Sequence, residues 1–377
     1  MKELLINAQD ILHNVGTIRK AIGDKTLIAV LKGNGYGLGT AELGKLLYEN
    51  GVSFFAVYST DEAKALRDAG IDADILMLPS YADEADARRL VELGCTATVG
   101  TFEAMNALVK AGQALGVLPK AHIEIDTGFG RSGFLPEDMD ALIARLRAED
   151  RLEVSGVYTH LYLASSRRPK QTDQQMATFD QCLAQLADAK IDIPMRHLGS
   201  SNVVLRMPKT HYDALRVGSA LLGRLSTKGK YGLKRVGYLH SNIIEIENLP
   251  AGHNVGYGGC YTTKRDTQLA VVPIGYSDGY GLEKVRDAFG VLDTLRTLLR
   301  IRVNGALYAK WDGKPVPLLG RINMNNIQVD VTGLPAKVGD SIILECNPIL
   351  VADSVKRVFQ WPLASAHPTH QVGVRPS

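Results

Sequence analysis

Leu27-Ile28-Ala29-Val30-Leu31-Lys32-Gly33-Asn34-Gly35-Tyr36-Gly37-Leu38-Gly39 is the stretch on which the fold turns. Its apolar half reads as a strand over 26–32 that ends in a single lysine, and glycine then occupies every second position. The glycine ladder matches neither a P-loop nor G-x-G-x-x-G, so a nucleotide site is weakly supported. A lone strand-ending lysine usually just reaches water. Placed in a desolvated mouth, its amine is more easily kept neutral and can form a Schiff base.

Working outward from Lys32, short β-type runs alternate with helical stretches. Strands are predicted at 26–32, 53–57, 75–78, 97–99, 121–126, 154–159, 196–198 and 214–217. Helices are predicted at 40–49, 59–69, 84–93, 101–112, 137–148 and 173–189. Leu43, Leu46 and Leu47 show the helical three-and-four spacing. Eight strands with intervening helices in about 200 residues is the pattern of a (β/α)8 TIM-type barrel, so the fold class is α/β. A doubly wound open sheet has the same alternation. In a barrel, Lys32 stands at the C-terminal end of the first strand, where barrel active sites form.

Near residue 235 the texture changes. Strands are predicted at 242–246, 268–273, 299–303, 326–331 and 341–344, separated by turn clusters such as Pro250-Ala251-Gly252 and Asp312-Gly313-Lys314. The predicted division is therefore a barrel over 1–235 and a mostly-β domain over 236–360. Residues 1–8 are a candidate to pair with that second domain. The tail, 361–377, has Pro and His but no period and is expected to be disordered.

Composition limits the function classes. Lys plus Arg total 43 and Asp plus Glu 40, a net charge of +3 with no basic cluster, so no nucleic-acid partner is expected. Hydrophobic residues make up 45%, enough for a large core. No apolar run is long enough to span a bilayer and residues 1–10 do not read as a signal peptide, so no membrane association is expected. Cys95, Cys182, Cys260 and Cys346 lie far apart with no CxxC pair. That excludes a disulfide scaffold and a zinc ribbon and points to a reducing, cytoplasmic compartment; no metal is expected. The 37 glycines exceed the ordinary ~7% and gather around candidate site segments, a sign of close backbone approach to a ligand.

Val30–Gly39 resembles the lysine signature of the alanine racemase family, pyridoxal-phosphate enzymes with a barrel and a β domain. Further segments match in order. They are Asp126-Thr127-Gly128-Phe129-Gly130-Arg131, Tyr158-Thr159-His160, His197-Leu198-Gly199-Ser200-Ser201, Leu215-Arg216-Val217-Gly218-Ser219, Val255-Gly256-Tyr257-Gly258, Val272–Tyr280 and Gly320-Arg321-Ile322-Asn323-Met324. The similarity spans about residues 5–345.

The resemblance implies a two-base amino-acid racemase that interconverts L- and D-alanine with pyridoxal 5'-phosphate. By it, Lys32 holds the cofactor and serves as one acid/base, and Tyr257 is the second base. Tyr257 would come from the partner subunit, which implies a head-to-tail homodimer with shared active sites. Arg216 would face the pyridine nitrogen without protonating it, and His160 would lie against the ring or orient Arg216. Ser201, Gly218 and Ser219 resemble a phosphate cup, with Tyr36 as a further cofactor partner. Arg131 and the Met324 backbone N–H would meet the substrate carboxylate, and Tyr276 would narrow the entrance. Alone, Tyr257 would read as a turn tyrosine and His160 as a structural histidine.

Three departures stand out. Glu124 occupies the position where many relatives carry a carbamylated lysine, so a supporting anion beside Arg131 is expected without a carbamate. Asn323-Met324-Asn325 replaces Cys-Met-Asp. Tyr308 is the last tyrosine, so the C-terminal phosphate-binding tyrosine of relatives is absent, with Phe359 nearest its place. Serine or another amino acid as substrate, and a non-catalytic pyridoxal-phosphate carrier, stay open at this stage. A decarboxylase would be expected to bring a cysteine motif that neither Cys260 nor Cys346 provides.

Overall fold

The computed structural model describes residues 1–164, 169–207, 212–225, 229, 231–282 and 308–361. The chain divides into two compact units, Asp10–Arg235, and Met1–Gln9 together with the described residues from Val236 onward.

After β1 (Glu3–Asn7), the first unit contributes eight strands. These are β2 (Thr26–Val30), β3 (Phe54–Val57), β4 (Asp74–Met77), β5 (Ala97–Val99), β6 (Lys120–Glu124), β7 (Glu153–His160), β8 (Arg196–Gly199) and β9 (Ala214–Val217). All neighbours are parallel, in the order β4-β3-β2-β9-β8-β7-β6-β5. The ends join. Leu76 bridges Thr96 in parallel, with Thr96 N donating to Ile75 O and Met77 N to Thr96 O, each at 2.8 Å. The sheet is a closed barrel, which decides against the open doubly wound alternative.

Helices begin where a polar residue leaves a strand. Ser59, Asp83 and Thr101 each accept a backbone N–H at the start of Thr60–Asp68, Glu84–Glu92 and Phe102–Leu115, satisfying donors the first turn cannot pair. The helix Ala8–Ile22 is absent from the predicted set, although its buried Ile11, Val15, Ile18 and Ile22 recur at helical spacing.

Inside the barrel, alternate strand positions point one way. Ile28, Val30, Phe54, Ala56, Leu76, Tyr158 and Ala214 form one buried cluster. On the same alternation β6 carries His122 and Glu124, and β9 carries Arg216, all buried. The interior is therefore apolar in part and polar in part, and the polar groups need partners.

In the second unit the strands are β10 (Tyr238–Asn242), β11 (Glu245–Leu249), β12 (Thr267–Val272), β13 (Tyr308–Trp311), β14 (Lys314–Leu319), β15 (Ile327–Asp330), β16 (Ser341–Glu345) and β17 (Lys356–Gln360). With β1 they make a nine-stranded sheet in the order β11-β12-β15-β14-β13-β16-β10-β1-β17. β1 sits antiparallel to β10 and parallel to β17, with Leu4 and Ile6 fully buried. The strand predicted at 242–246 is a correction: β10 ends at Asn242 and β11 starts at Glu245, so the chain leaves one strand and enters another within it. The predicted turn at Asp312-Gly313 joins β13 to β14, strands that sequence reading left out. The strand predicted at 299–303 and the tail from 362 lie outside the described residues.

Candidate active site

Lys32 does not end a strand. β2 stops at Val30, Leu31 follows, and Lys32 opens the short helical turn Lys32–Tyr36. That turn is left-handed: φ is 65° at Gly33, 53° at Asn34, 61° at Gly35, 54° at Tyr36 and 87° at Gly37. A side chain with a Cβ is disfavoured in such a run, so glycine at alternate positions is what permits it. The lysine thus leaves the strand on a rigid coil of backbone at the barrel's C-terminal rim. Tyr36 turns back onto Gly218, where a Cβ would collide with its ring and hydroxyl. Burial pushes the Tyr36 phenol up to about 12.

Arg216 is buried and its guanidinium lies flat against Gly199. Nη1 donates to His197 Nδ1 at 2.5 Å and Nη2 to Thr159 O at 3.0 Å, with His160 Nδ1 3.4 Å from Nη2. The Arg216 Cζ stands 4.1 Å from the centroid of the Tyr158 ring, which stacks on His197. No carboxylate hydrogen-bonds Arg216 among the described residues. Arginine only donates, so His197 Nδ1 must accept; the proton then sits on Nε2, which donates to His122 Nδ1 at 2.8 Å. Burial and then the Arg216 charge push His122 and His160 down to about 3 and hold His197 well below the usual range. Burial likewise lowers the Arg216 pKa. The result is one buried cation set among neutral rings.

Ser201 and Ser219 meet beside Gly218: Ser219 Oγ is 3.3 Å from Ser201 Oγ, which accepts Ala220 N at 3.0 Å. Asp126 organises the next loop by accepting the backbone N–H groups of Gly128, Phe129, Gly130 and Arg131 at 2.7–3.2 Å. Arg131 emerges over the Phe129 ring, 4.4 Å from its centroid, and Phe129 packs edge-on to His160. Below it, buried Glu124 accepts from Ser132 Oγ at 2.7 Å and lies 4.0 Å from Arg131 Nη2. Burial raises the Glu124 pKa, opposed by the Ser132 hydrogen bond and by Arg216 and Arg131.

Lys32, Tyr36, Glu124, Arg131, His160, Ser201, Arg216, Gly218 and Ser219 therefore all sit at or just beyond the C-terminal ends of barrel strands. The second unit gathers Tyr257, Tyr276 and Met324 on its own loops. Tyr276 N and Ser277 N donate to Asn323 O and Met324 O, and Ser277 Oγ reaches Met324 O at 2.7 Å. Gly256 and Gly258 pack on Arg321, which carries the Tyr257 turn to the same loop. Exposure is high, 75% at Tyr257, 54% at Met324 and 45% at Tyr276. Phe359 stands in β17 opposite Ile6.

Two family models match, the N-terminal domain of alanine racemase over residues 6–226 and its C-terminal domain over 236–360. The chain belongs to the alanine racemase family. It is 33% identical to the alanine racemase of Methanococcus maripaludis over 344 residues, covering 89% of this chain and 87% of that protein. Against the alanine racemase of Desulfovibrio desulfuricans it is 31% identical over 348 residues, covering 91% and 88%. Among solved structures, alanine racemase of Clostridium difficile 630 superposes with a TM-score of 0.84 at 25% identity, covering 95% of each chain. The alanine racemase of a D-cycloserine-producing Streptomyces lavendulae gives 0.82 at 26% identity, covering 97% and 98%.

For this alanine racemase family member, sequence reading overlooked residues that the barrel interior recruits. His122 was not singled out, and His197 and Asp126 were quoted only as the first residues of matching segments, without a role. One signal was present. In His122-Ile123-Glu124-Ile125-Asp126, polar groups take every second position of a strand and share a face.

Proposed function

We propose that this protein is a pyridoxal-5'-phosphate-dependent racemase interconverting L- and D-alanine in the cytoplasm, with Lys32 and Tyr257 as its two bases. The observation that carries the reading is Arg216, a buried cation that no carboxylate among the described residues hydrogen-bonds, ringed by neutral histidines and standing on the same rim as Lys32. Such an arginine donates a hydrogen bond to an aromatic nitrogen and keeps its own proton. The glycine cradle supports the cofactor too: Gly199 and Gly218 leave flat, Cβ-free walls beside Arg216 and Tyr36.

Lys32 would hold the cofactor covalently; Ser201, Ser219 and the Gly218 backbone would hold its phosphate, with Tyr36 alongside. When bound, the cofactor supplies electron withdrawal that acidifies the substrate Cα–H. The remaining work falls to side chains. Racemisation removes a proton from one face of Cα and returns one to the other, so it requires two groups. Lys32 Nζ serves one face and the Tyr257 hydroxyl the other. Arg131, held by Asp126 and backed by Glu124, orients the substrate carboxylate with the Met324 N–H, and Tyr276 restricts the entrance.

Tyr257, Tyr276 and Met324 are proposed to act in the site of a second copy of this chain, giving a homodimer with shared sites. Their exposure supports this, since a cluster of large exposed side chains on one set of loops is a surface awaiting cover. Among the described residues no helix is long and apolar enough to cross a membrane, and Cys95, Cys182, Cys260 and Cys346 form no disulfide. A visible absorption band that disappears in Lys32→Ala tests the cofactor. Racemisation assayed across alanine, serine and the basic amino acids tests the substrate; loss of the alanine signal alone would redirect the assignment within the family.

A further inference from the structure

We infer that Glu62 is a positioning residue for Lys32, acting through the backbone of the left-handed turn. The inference rests on Lys32 being the lysine that holds pyridoxal phosphate. A run of left-handed residues that includes Asn34 and Tyr36 is disfavoured for L-residues and persists only where its surroundings over-determine it. The surroundings are explicit. Leu31 N donates to Ala56 O on β3 at 2.8 Å, and Gly35 N returns to Leu31 O at 2.8 Å. At the apex, Asn34 N donates to Glu62 Oε1 at 3.0 Å. Asn34 Oδ1 accepts Thr40 N at 3.1 Å on the far side.

Lys32 lies between two of these pins, Leu31, which is held by β3, and Asn34, which is held by Glu62 in the first turn of the helix Thr60–Asp68. Glu62 closes that frame. Its second oxygen, Oε2, accepts Tyr58 N at 2.8 Å and Ser59 N at 3.3 Å, so one carboxylate ties the lysine turn to the end of the adjacent strand. A carboxylate can serve all three donors, because each oxygen has two acceptor directions. The direction in which Lys32 leaves the rim is set by this tie.

Glu62 also completes a capping box with Ser59, whose Oγ accepts Glu62 N at 3.2 Å. A merely structural role would act through that cap. Ser59→Ala removes the cap acceptor and leaves the Asn34 contact, so it serves as the control. Full-chain Glu62→Ala, Glu62→Gln and Ser59→Ala are titrated with pyridoxal phosphate, reduced with borohydride, and the labelled fraction of Lys32 is read by mass spectrometry. Glu62→Ala should raise the half-labelling concentration by about tenfold or more, the loss of one hydrogen bond to a charged acceptor. Glu62→Gln should recover part of this, since its amide keeps one acceptor oxygen. Ser59→Ala should melt earlier yet label as the unaltered protein does.

Wild-type labelling in Glu62→Ala, or an equal rise in Ser59→Ala, overturns the inference. Should Glu62→Ala not fold, the comparison of Glu62→Gln with Ser59→Ala decides by the same criterion. Label that persists in Lys32→Ala would instead overturn the assignment of Lys32, and the two failures are distinguishable.

Discussion

Arg216 Nη1 donates to His197 Nδ1 at 2.5 Å, and this contact fixes the proton on each ring behind it. His197→Phe keeps an aromatic ring against Tyr158, though a larger one, and removes the acceptor. The buried Arg216 N–H is then unsatisfied, at a cost of about 1–3 kcal/mol. Urea unfolding should show that loss with an unchanged m-value; a variant as stable as the parent would show that the contact is dispensable.

The same rings predict a pH dependence of stability. His122 and His160 titrate near 3 when folded against an ordinary 6.5, and His197 is also depressed. A histidine with a lowered folded pKa binds its proton more tightly when unfolded. Its stabilisation is full above pH 6.5 and is lost as pH falls toward 3, by about 1.4 kcal/mol per unit for each ring. Glu124, raised in the fold, contributes the opposite slope as it protonates. Three rings outweigh one carboxyl, so the urea midpoint should fall steeply from pH 6.5 to 4.5, and less steeply in His160→Asn. Equal slopes would contradict the depressed His160.

Glu124 is predicted to act on substrate affinity. Without its charge behind Ser132 and Arg131, the arginine loses its bias toward the site, and KM for alanine in Glu124→Ala should rise several-fold with a smaller change in kcat. Removal of bicarbonate should have no effect on the parent protein, since the anion is already built in. Because the Glu124 pKa is raised, the rise of KM on the acid side should begin above the ordinary carboxylate range and vanish in Glu124→Gln. Unchanged KM in Glu124→Ala would sink this role.

Gly218 and Tyr36 should show reciprocal packing. In Gly218→Ala the new methyl meets the Tyr36 ring, with overpacking expected to cost about 1–3 kcal/mol and to weaken cofactor uptake. Gly218→Ala combined with Tyr36→Leu should recover part of the loss in stability. Additive losses in the double variant would show that the two positions do not touch.

The barrel was legible because its signals are local. Apolar strands end at polar helix starts such as Ser59, Asp83 and Thr101, and β5 and β9 fall where their patterns place them. Closure was not legible, since it depends on Leu76 meeting Thr96, a pairing no local pattern encodes. Lys32 was found by its glycines, but the handedness of its turn was missed: alternating glycine reads equally as a loop or a coil. The strands of the second unit were hardest. Residues 1–8 were a candidate for this unit, but β17, the parallel neighbour of β1, was not predicted, and the predicted 242–246 strand merged the end of β10 with the start of β11. The motif segments were legible as sequence, and the fold brings those of the first unit to one rim, whereas the contacts of His122 and His197 come only from Arg216, brought beside them by the barrel.

Exchange at the alanine Cα in D2O tests the two-base account most directly. The parent protein should wash deuterium into both L- and D-alanine, and Tyr257→Phe should abolish exchange from one enantiomer while leaving it from the other. Exchange that is equal from both enantiomers in Tyr257→Phe, or absent for both in the parent protein, would contradict it.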